Sequence, residues 1–375
     1  MSAKPGAEET SYVFPAYDGE FVVRPRLDLR ILFIEPTTRC NLRCEMCFKQ
    51  HWTDREGDME WDLFEKVLGE AAKFPRLEAI VFGGIGEPTV HPRISEMIGR
   101  ASGMGFKTYV TTNRLFLNSS EMLELVEMGL TGIYFSVDYM PFLETHLQHA
   151  SSSVVLERIK NIAEWRAEHR SEKPFLGVQV VVTKHNYKYL PDLVKLLKNH
   201  GVDEVLVSNL IPVHHSARDM IVYDGSVNME PVVEELERLA SRGVRLRLSL
   251  FSLKTERRCF FDEARSTVVR WDGEVSPCYR FLHSYKEYVF GREKQINHYS
   301  FGNVKDKGLD EIWMSREYTR FRFITRNYYY PSCTDCWLRD SCDFVRSSDV
   351  DCWANQPSCG DCLWARNLIQ CPIPI

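Results

Sequence analysis

The placement of cysteine restricts the fold and chemistry of this chain more than any other feature of its sequence. Three of the 12 cysteines lie between Cys40 and Cys47, residues 48 to 258 contain none, and the other nine lie between Cys259 and Cys371. Buried structural thiols would also occur in the middle region, so the gap favours two metal-binding segments. Disulfides are less favoured, because the opening residues MSAKPGAEETSYVF contain no apolar core of a secretory signal.

The composition excludes several classes of function. A chain of 375 residues with 44% hydrophobic residues can form two domains, or one large domain with an extension. The formal net charge of −5 and the lack of a lysine-rich block argue against a nucleic acid partner or an anionic membrane surface. No apolar stretch approaches the roughly 20 residues of a membrane span. We therefore expect a cytoplasmic protein.

From Ile31 onward, short apolar runs alternate with amphipathic helical patterns. The six runs are residues 31–35, 79–82, 106–112, 131–138, 177–183 and 204–210. This alternation predicts an α/β fold with a parallel sheet, either an open doubly wound sheet or a partial barrel. Each run ends in a polar or cysteine-containing cluster, and ligands bind at the carboxyl ends of parallel strands.

The opening cluster, EPTTRCNLRCEMCFKQ, holds Cys40, Cys44 and Cys47. Soft thiolates select iron–sulfur clusters, zinc or copper. A zinc site usually has four ligands in paired knuckles, whereas this loop offers three and the next thiol in the sequence is Cys259. A 4Fe–4S cluster with three protein ligands would leave one iron open for a substrate or cofactor.

This C-x-x-x-C-x-x-C spacing resembles the signature of radical SAM enzymes, and the resemblance covers about residues 30 to 215. In that family the loop follows the first strand of a partial (β/α)6 TIM barrel. S-adenosylmethionine (SAM) chelates the open iron, and an electron from the cluster yields a 5′-deoxyadenosyl radical that abstracts hydrogen. The resemblance implies this fold, with a 4Fe–4S cluster and SAM as cofactors.

Shorter motifs resemble the SAM contacts of the family. GGIGEP is similar to its glycine-rich motif, with one extra residue, Ile85, and Glu87 would pair with the SAM ammonium. Thr112 and Asn113 resemble a turn that ends the third strand. The SAM-binding residues that the resemblance implies are Met46, Gly83, Gly84, Glu87, Thr112, Asn113, Ser136 and Asp138.

The second cysteine segment resembles the SPASM extension of radical SAM enzymes, which binds two auxiliary 4Fe–4S clusters. Gly273 and Cys278 match its G-x4-C hairpin, whereas position 346 is arginine where the family has cysteine. The implied ligands are Cys259, Cys278, Cys333, Cys336, Cys342, Cys352, Cys359, Cys362 and Cys371, which leaves one spare thiol or one open iron. By analogy, one cluster takes Cys259, Cys278, Cys352 and one tail cysteine, and the other takes Cys333, Cys336, Cys342 and another. A zinc domain with knuckles at 333/336 and 359/362 remains an alternative.

We thus predict four segments: a lead-in over residues 1–29, a radical SAM partial barrel over 30–220, a bridging helix and strand over 221–255, and a SPASM-like auxiliary cluster domain over 256–375. The family resemblance implies an enzyme that modifies a peptide or protein, for example by a thioether crosslink in a ribosomal peptide. A flavodoxin- or ferredoxin-type protein would be its reductant.

The cysteine-loop region and the tail SCGDCLWARNLIQCP most resemble SPASM proteins named as maturases of tungsten-containing aldehyde oxidoreductases. Two alternatives stay open. The chain could be a non-catalytic iron–sulfur scaffold or electron carrier. It could also be a formylglycine-type dehydrogenase, although Tyr279 stands where those enzymes have an aspartate base.

Overall fold

We describe the chain from a computed structural model. The structure describes residues 10–15, 18–113, 119–137 and 152–374. Asp138, a predicted SAM contact, lies outside the described residues.

The strands are β1 (Tyr12–Pro15), β2 (Glu20–Val23), β3 (Ile31–Ile34), β4 (Ala79–Phe82), β5 (Lys107–Thr112), β6 (Gly132–Ser136), β7 (Phe175–Val182), β8 (Glu204–Asn209), β9 (Arg245–Leu248), β10 (Ser266–Val269), β11 (Val275–Ser276), β12 (Tyr285–Val289) and β13 (Arg292–Ile296). The α-helices are α1 (Trp61–Ala71), α2 (Ile94–Gly103), α3 (Ser119–Glu127), α4 (Ser152–Glu168), α5 (Leu190–Asn199), α6 (Glu230–Ser241), α7 (Phe260–Glu263), α8 (Leu309–Met314) and α9 (Arg316–Arg326). Among the described residues, no helix is both long enough and apolar enough to cross a membrane.

A nine-stranded sheet organises the molecule, in the order β11-β10-β3-β4-β5-β6-β7-β8-β9. All neighbouring pairs from β10 to β9 are parallel, and β11 is antiparallel to β10. The six predicted strands are β3 to β8, which lie side by side in chain order. Every side chain of β3 and β4 is buried, which is typical of parallel strands covered on both faces. The predicted α/β fold is confirmed.

Helices cover the sheet with the apolar faces that the sequence pattern predicts. In α5, Leu190, Leu193, Val194 and Leu197 are buried, at the i, i+3, i+4, i+7 spacing of one helical face. The same spacing buries the apolar face of α2. Burial of one such side chain stabilises the fold by about 1.5–3 kcal/mol relative to exposure. These helices therefore fix the strands whose ends form the site.

The cysteine-rich segment joins the sheet of the barrel. β10 pairs in parallel with β3, so that Val268 lies opposite Phe33, and β9 extends the other edge beside β8. The hairpin β12–β13 forms a separate two-stranded sheet. The lead-in forms the hairpin β1–β2, and Phe14 of β1 stacks on Phe323 of α9. The sheet thus continues across the predicted boundary at residue 255.

Candidate active site

A cavity of about 390 Å³ opens at the carboxyl ends of β3 to β8; we call it the larger cavity, to distinguish it from a smaller one that is also lined by cysteines. Its wall comes from the cysteine loop, the glycine-rich loop after β4, the ends of the next four strands and the last residues of the chain. Among the residues that line it are Cys40, Cys44, Met46, Cys47, Gly84, Gly86, Glu87, Thr112, Asn113, Ser136, Gln179, Ser208, Asn209, His214, Tyr279 and Cys371. The opening cysteine cluster and the cysteine-containing tail of the chain therefore lie at the same site.

The stem of the cysteine loop is held by an ion pair. Arg39 donates from Nε to Asp58 Oδ1 at 2.8 Å and from Nη2 to Oδ2 at 2.6 Å, and the Thr37 hydroxyl donates to Oδ1 at 2.6 Å. The Thr38 N–H bonds to the Gly57 carbonyl at 3.0 Å. A bidentate arginine–carboxylate pair fixes geometry as well as energy. The loop therefore starts from a rigid base and places its three thiols on one wall of the larger cavity.

The three thiols fit an iron–sulfur cluster better than a single ion. Among the described residues, no three histidine, cysteine or acidic side chains converge closely enough to bind one metal ion. A cubane is wider than an ion, so its thiolates stand apart around a cavity, as Cys40, Cys44 and Cys47 do. Burial and the charge of Glu87 raise the pKa of Cys40, although the Leu42 N–H and the Asn113 amide lower it. Iron bound to Cys40 would offset the raised pKa by stabilising the thiolate.

The glycines of the GGIGEP loop allow two loops to touch. A Cβ at Gly86 would lie 2.2 Å from the carbonyl oxygen of Thr37, in the stem of the cysteine loop. Gly84 has a φ of +112°, and a Cβ there would lie 2.5 Å from Cγ of Glu35. Gly83 does not line the larger cavity but lies behind it, where a Cβ would be 2.5 Å from the Tyr279 hydroxyl. A bulkier residue at these positions would push the glycine-rich loop away from the cysteine loop.

Glu87 is buried and its carboxylate is already hydrogen-bonded. Oε1 accepts from the Thr89 N–H at 3.1 Å, the Thr89 hydroxyl at 2.6 Å and the Thr112 hydroxyl at 2.7 Å, while Oε2 accepts from the Asn113 N–H at 2.6 Å. Burial raises its pKa. In this arrangement Glu87 ties the glycine-rich loop to the end of β5, and its pairing with a SAM ammonium stays a prediction.

The other predicted SAM residues lie around the same wall. Met46, Thr112, Asn113 and Ser136 all line the larger cavity. Asn113 donates from Nδ2 to Cys40 Sγ at 3.6 Å and to Asn41 Oδ1 at 2.9 Å, so it orients the start of the cysteine loop. Three further polar residues on β7 and β8 line this cavity. The sequence reasoning missed Gln179; it placed Ser208 and Asn209 in the polar cluster that ends the sixth strand but gave them no role. The glutamine in GVQVVVT is a polar residue within an otherwise apolar strand, and this feature could have identified Gln179 as a site residue.

A buried ion-pair chain under the glycine-rich loop was also missed. Glu35, at the end of β3, accepts from the Ile85 N–H at 3.1 Å and pairs with Nε2 of His283 at 3.0 Å. His283 Nδ1 pairs with Asp54 Oδ2 at 2.9 Å. Glu35 and His283 are 0% and 1% exposed. The chain links the barrel to the segment that follows β11, and no local sequence pattern reveals partners so far apart in the chain.

Five cysteines of the second segment surround a smaller cavity. They are Cys259, Cys278, Cys359, Cys362 and Cys371. Burial, Asp262 and the neighbouring Cys278 and Cys359 raise the pKa of Cys259. Burial with Cys362 and Cys278 likewise raises the pKa of Cys359. These thiols are close enough to interact electrostatically, as the ligands of one cluster must be.

The other four cysteines form a second group nearer the surface. Burial, Asp361 and the charge of Cys352 are among the causes that raise the pKa of Cys333 to about 12. Cys352 in turn interacts with Cys342 and Cys336. The structure thus places Cys352 in this group, which corrects the analogy that put it with Cys259 and Cys278. The reason is local: the Asp351 carboxylate accepts from the backbone N–H groups of residues 353 and 355 and turns the chain back there.

Comparison with protein-family models agrees with this geometry. Residues 34–223 match the model described as the radical SAM superfamily. Residues 259–337 match the SPASM model, described as an iron–sulfur cluster-binding domain.

Similar proteins and structures were also found. The chain is 55% identical to the tungsten-containing aldehyde ferredoxin oxidoreductase cofactor-modifying protein of Pyrococcus furiosus. The alignment of 348 residues covers 92% of this chain and 98% of that protein. The chain is 22% identical to the Fe-coproporphyrin III synthase of Methanosarcina barkeri over 86% of both chains.

Among solved structures, Streptococcus suis SuiB bound to S-adenosylmethionine superposes with a TM-score of 0.60 at 18% identity, over 84% of this chain and 73% of that one. The anSMEcpe structure with AdoMet and the Cp18Cys peptide gives a TM-score of 0.53 at 16% identity, over 90% of this chain and 95% of that one. These likenesses show the fold. The chain therefore belongs to the radical SAM superfamily, as an enzyme of the SPASM type that uses SAM and 4Fe–4S clusters.

Proposed function

We propose that this enzyme cleaves SAM reductively and uses the resulting radical to modify a peptide or protein substrate. The observation that carries the proposal is the meeting of three thiols, the glycine-rich loop and the polar ends of β5 to β8 around one cavity. When bound, the cofactors supply an electron to the sulfonium of SAM and a 5′-deoxyadenosyl radical that abstracts hydrogen.

The residues of this chain have separate tasks at the site. Cys40, Cys44 and Cys47 would hold the SAM-binding cluster. Gly84 and Gly86 let the glycine-rich loop approach the end of β3 and the stem of the cysteine loop closely, so its backbone would face a cluster held there. The polar side chains at the ends of β6 to β8 would orient SAM and exclude bulk water from its reactive carbon.

A tungsten-containing aldehyde oxidoreductase, or a peptide associated with it, is the substrate that we propose first. The support is the 55% identity to a protein named as a modifier of the cofactor of such an oxidoreductase. A thioether crosslink or a related modification would suit a SPASM enzyme. Structural neighbours bound to a peptide, SuiB with its precursor peptide and anSMEcpe, support a peptide-sized substrate. A ferredoxin- or flavodoxin-type protein would deliver the electron.

The formylglycine alternative lacks its base at the expected position. Tyr279 follows the hairpin cysteine and lies in the wall of the larger cavity, where its hydroxyl packs against Gly83. Burial raises the pKa of Tyr279 well above its ordinary value, so the phenol would not act as a base near neutral pH.

The first experiment compares iron content and SAM cleavage in the wild type and in a variant with Cys40, Cys44 and Cys47 changed to alanine. After anaerobic reconstitution we expect about 12 irons in the wild type and about 8 in the variant, for three 4Fe–4S clusters. Only the wild type should form 5′-deoxyadenosine under reduction. A wild type that holds about 12 irons but never cleaves SAM would establish the scaffold or electron-carrier alternative instead.

A second experiment tests the substrate. The loaded enzyme is incubated with SAM, a reductant and the metal-free aldehyde oxidoreductase or its associated peptide. We expect a SAM-dependent mass change in the substrate, in H₂O for a crosslink or in D₂O for a rearrangement that returns hydrogen from an exchangeable group, and no change with the triple-alanine variant. Formation of 5′-deoxyadenosine with no SAM-dependent mass change in either substrate would overturn the tungsten assignment and leave the SAM chemistry intact.

A further inference from the structure

The smaller cavity has one thiol more than a cluster uses. A 4Fe–4S cluster with no open iron takes four cysteine ligands. Five cysteines line this cavity, while the surface group around Cys333 contains four. Together with the opening three, eleven thiols complete one three-ligand and two four-ligand sites, so one of the five is left over.

Cys371 is the member of the five that differs in position. Cys259 interacts with Cys278 and Cys359, and the pKa of Cys278 is raised by burial and by Cys362. These four therefore form a connected set. Cys371 interacts with Cys278 and Cys362 but, among the described residues, is also the member of the five that lines the larger cavity.

The surroundings of Cys371 place it in the wall between the two cavities. The residues that line both cavities are Tyr279, Trp364, Ile369, Gln370 and Cys371. Trp364 donates from Nε1 to Cys371 Sγ at 3.1 Å, which orients the Cys371 side chain within this wall. In this wall the sulfur has the predicted auxiliary cluster on one side and the predicted SAM site on the other.

We propose that Cys259, Cys278, Cys359 and Cys362 hold one auxiliary cluster, and that Cys371 is a non-ligand thiol that donates a hydrogen atom to a radical in the larger cavity. The proposal rests on the proposed SAM chemistry. The S–H bond of Cys371 breaks homolytically and a C–H bond forms on the radical. The Cys371 thiyl then takes one electron from the reduced auxiliary cluster and one proton from solvent, which regenerates the thiol.

This role limits the type of reaction. An oxidative modification sends the electron of the substrate radical to the auxiliary cluster, whereas hydrogen return from Cys371 completes a redox-neutral rearrangement or inversion. Both courses use the auxiliary cluster, but only the second uses a hydrogen-donating thiol between the cluster and the radical. A substrate whose C–H bond is re-formed after rearrangement is therefore the chemical class that the wall favours, in place of a thioether crosslink, whose formation removes two hydrogens from the substrate.

The ligand assignment is tested without any turnover. Cys371→Ala should retain about 12 irons after reconstitution, whereas the matched control Cys362→Ala should fall to about 8. Loss of four irons from Cys371→Ala would overturn the proposal.

The donor role is tested without the natural substrate. In D₂O the thiol becomes S–D, so uncoupled cleavage of SAM should give 5′-deoxyadenosine that carries one deuterium. Cys371→Ser keeps the size of the side chain but has an O–H bond too strong to give up its hydrogen, and we expect loss of the label. Equal deuterium content in both proteins would refute the donor role, whereas no 5′-deoxyadenosine from the wild type would instead overturn the proposed function.

Discussion

A single buried histidine carries a charge that helps to hold the glycine-rich loop. Burial disfavours the imidazolium of His283, but Glu35 and Asp54 outweigh burial and raise its pKa to about 9. Glu35 also accepts from the Ile85 N–H, so the same carboxylate holds both His283 and the glycine-rich loop. The protonation of His283 is therefore linked to the stability of the site.

The sign of this linkage gives a pH-dependent prediction. The folded-state pKa lies above the ordinary value of about 6.5, so the ion pair contributes fully below about pH 6.5 and is lost as the pH rises through about 9. We expect the unfolding free energy of the wild type to fall by up to about 3 kcal/mol across this window. His283→Gln should remove most of that slope and lower stability at neutral pH.

Denaturant unfolding at a series of pH values measures the effect. His185→Gln is a suitable control, because His185 is exposed and should leave the slope unchanged. A slope in His283→Gln equal to that of the wild type would contradict the linkage.

At the residue scale, the sequence predicted which side chains form the site better than it predicted which side chains contact one another. The opening cysteines and most of the implied SAM residues lie around one cavity, because each follows a strand whose end is fixed by local pattern. The analogy grouped Cys352 with the wrong cysteines, because it did not include the turn at Asp351. The Glu35–His283 pair was not foreseen, because it depends on where distant parts of the chain come together, which spacing does not encode.

At the scale of elements, the hairpin β12–β13 is fastened to the cysteine-rich tail by buried charges. Arg280 pairs with Glu287 Oε1 at 2.6 Å and with Asp361 Oδ1 at 3.3 Å, and Lys294 pairs with Asp361 Oδ2 at 3.1 Å. All four side chains are at most 2% exposed. Asp361 precedes Cys362, so the network positions a predicted cluster ligand.

Removing one charge from this network should be costly. Lys294→Met leaves Asp361 with Arg280 as its remaining buried cation in the network, and breaking a buried pair in this way typically costs about 3–5 kcal/mol. Lys286→Met is the matched control: Lys286 lies on the same hairpin and pairs with Glu293, but both side chains are about half exposed, so water screens the pair and its loss should change stability little. The midpoints of thermal unfolding of the two loaded variants measure the difference, and equal midpoints would contradict it.

The sequence predicted the elements of the barrel but not how its edges are completed. Six apolar runs became β3 to β8 because their periodicity is local. The pairing of β10 with β3 is not local, since Val268 and Phe33 lie on strands far apart in the chain. That pairing could not be read from strand patterns alone.

At the scale of the whole molecule, the two predicted domains share one hydrophobic layer. Ile31, Phe33 and Val81 of the barrel sheet pack in a cluster with Phe261, Val268, Leu282 and Ile373 of the cysteine-rich segment. Tyr279 and Cys371 of that segment also complete the wall of the larger cavity. The barrel therefore depends on the auxiliary segment for both its edge and its site.

A chain cut after residue 255 tests this dependence. The fragment loses the strand that pairs with β3, which leaves an apolar edge strand unpaired and its buried face open to water. Exposed apolar edges promote aggregation, so we expect an insoluble fragment or one without a cooperative unfolding transition. Co-expression of residues 256–375 as a second chain should restore soluble, folded protein if the shared layer is the cause. A soluble 1–255 fragment that unfolds cooperatively would show instead that the barrel is an independent domain, and that the boundary predicted at residue 255 is also a boundary of stability.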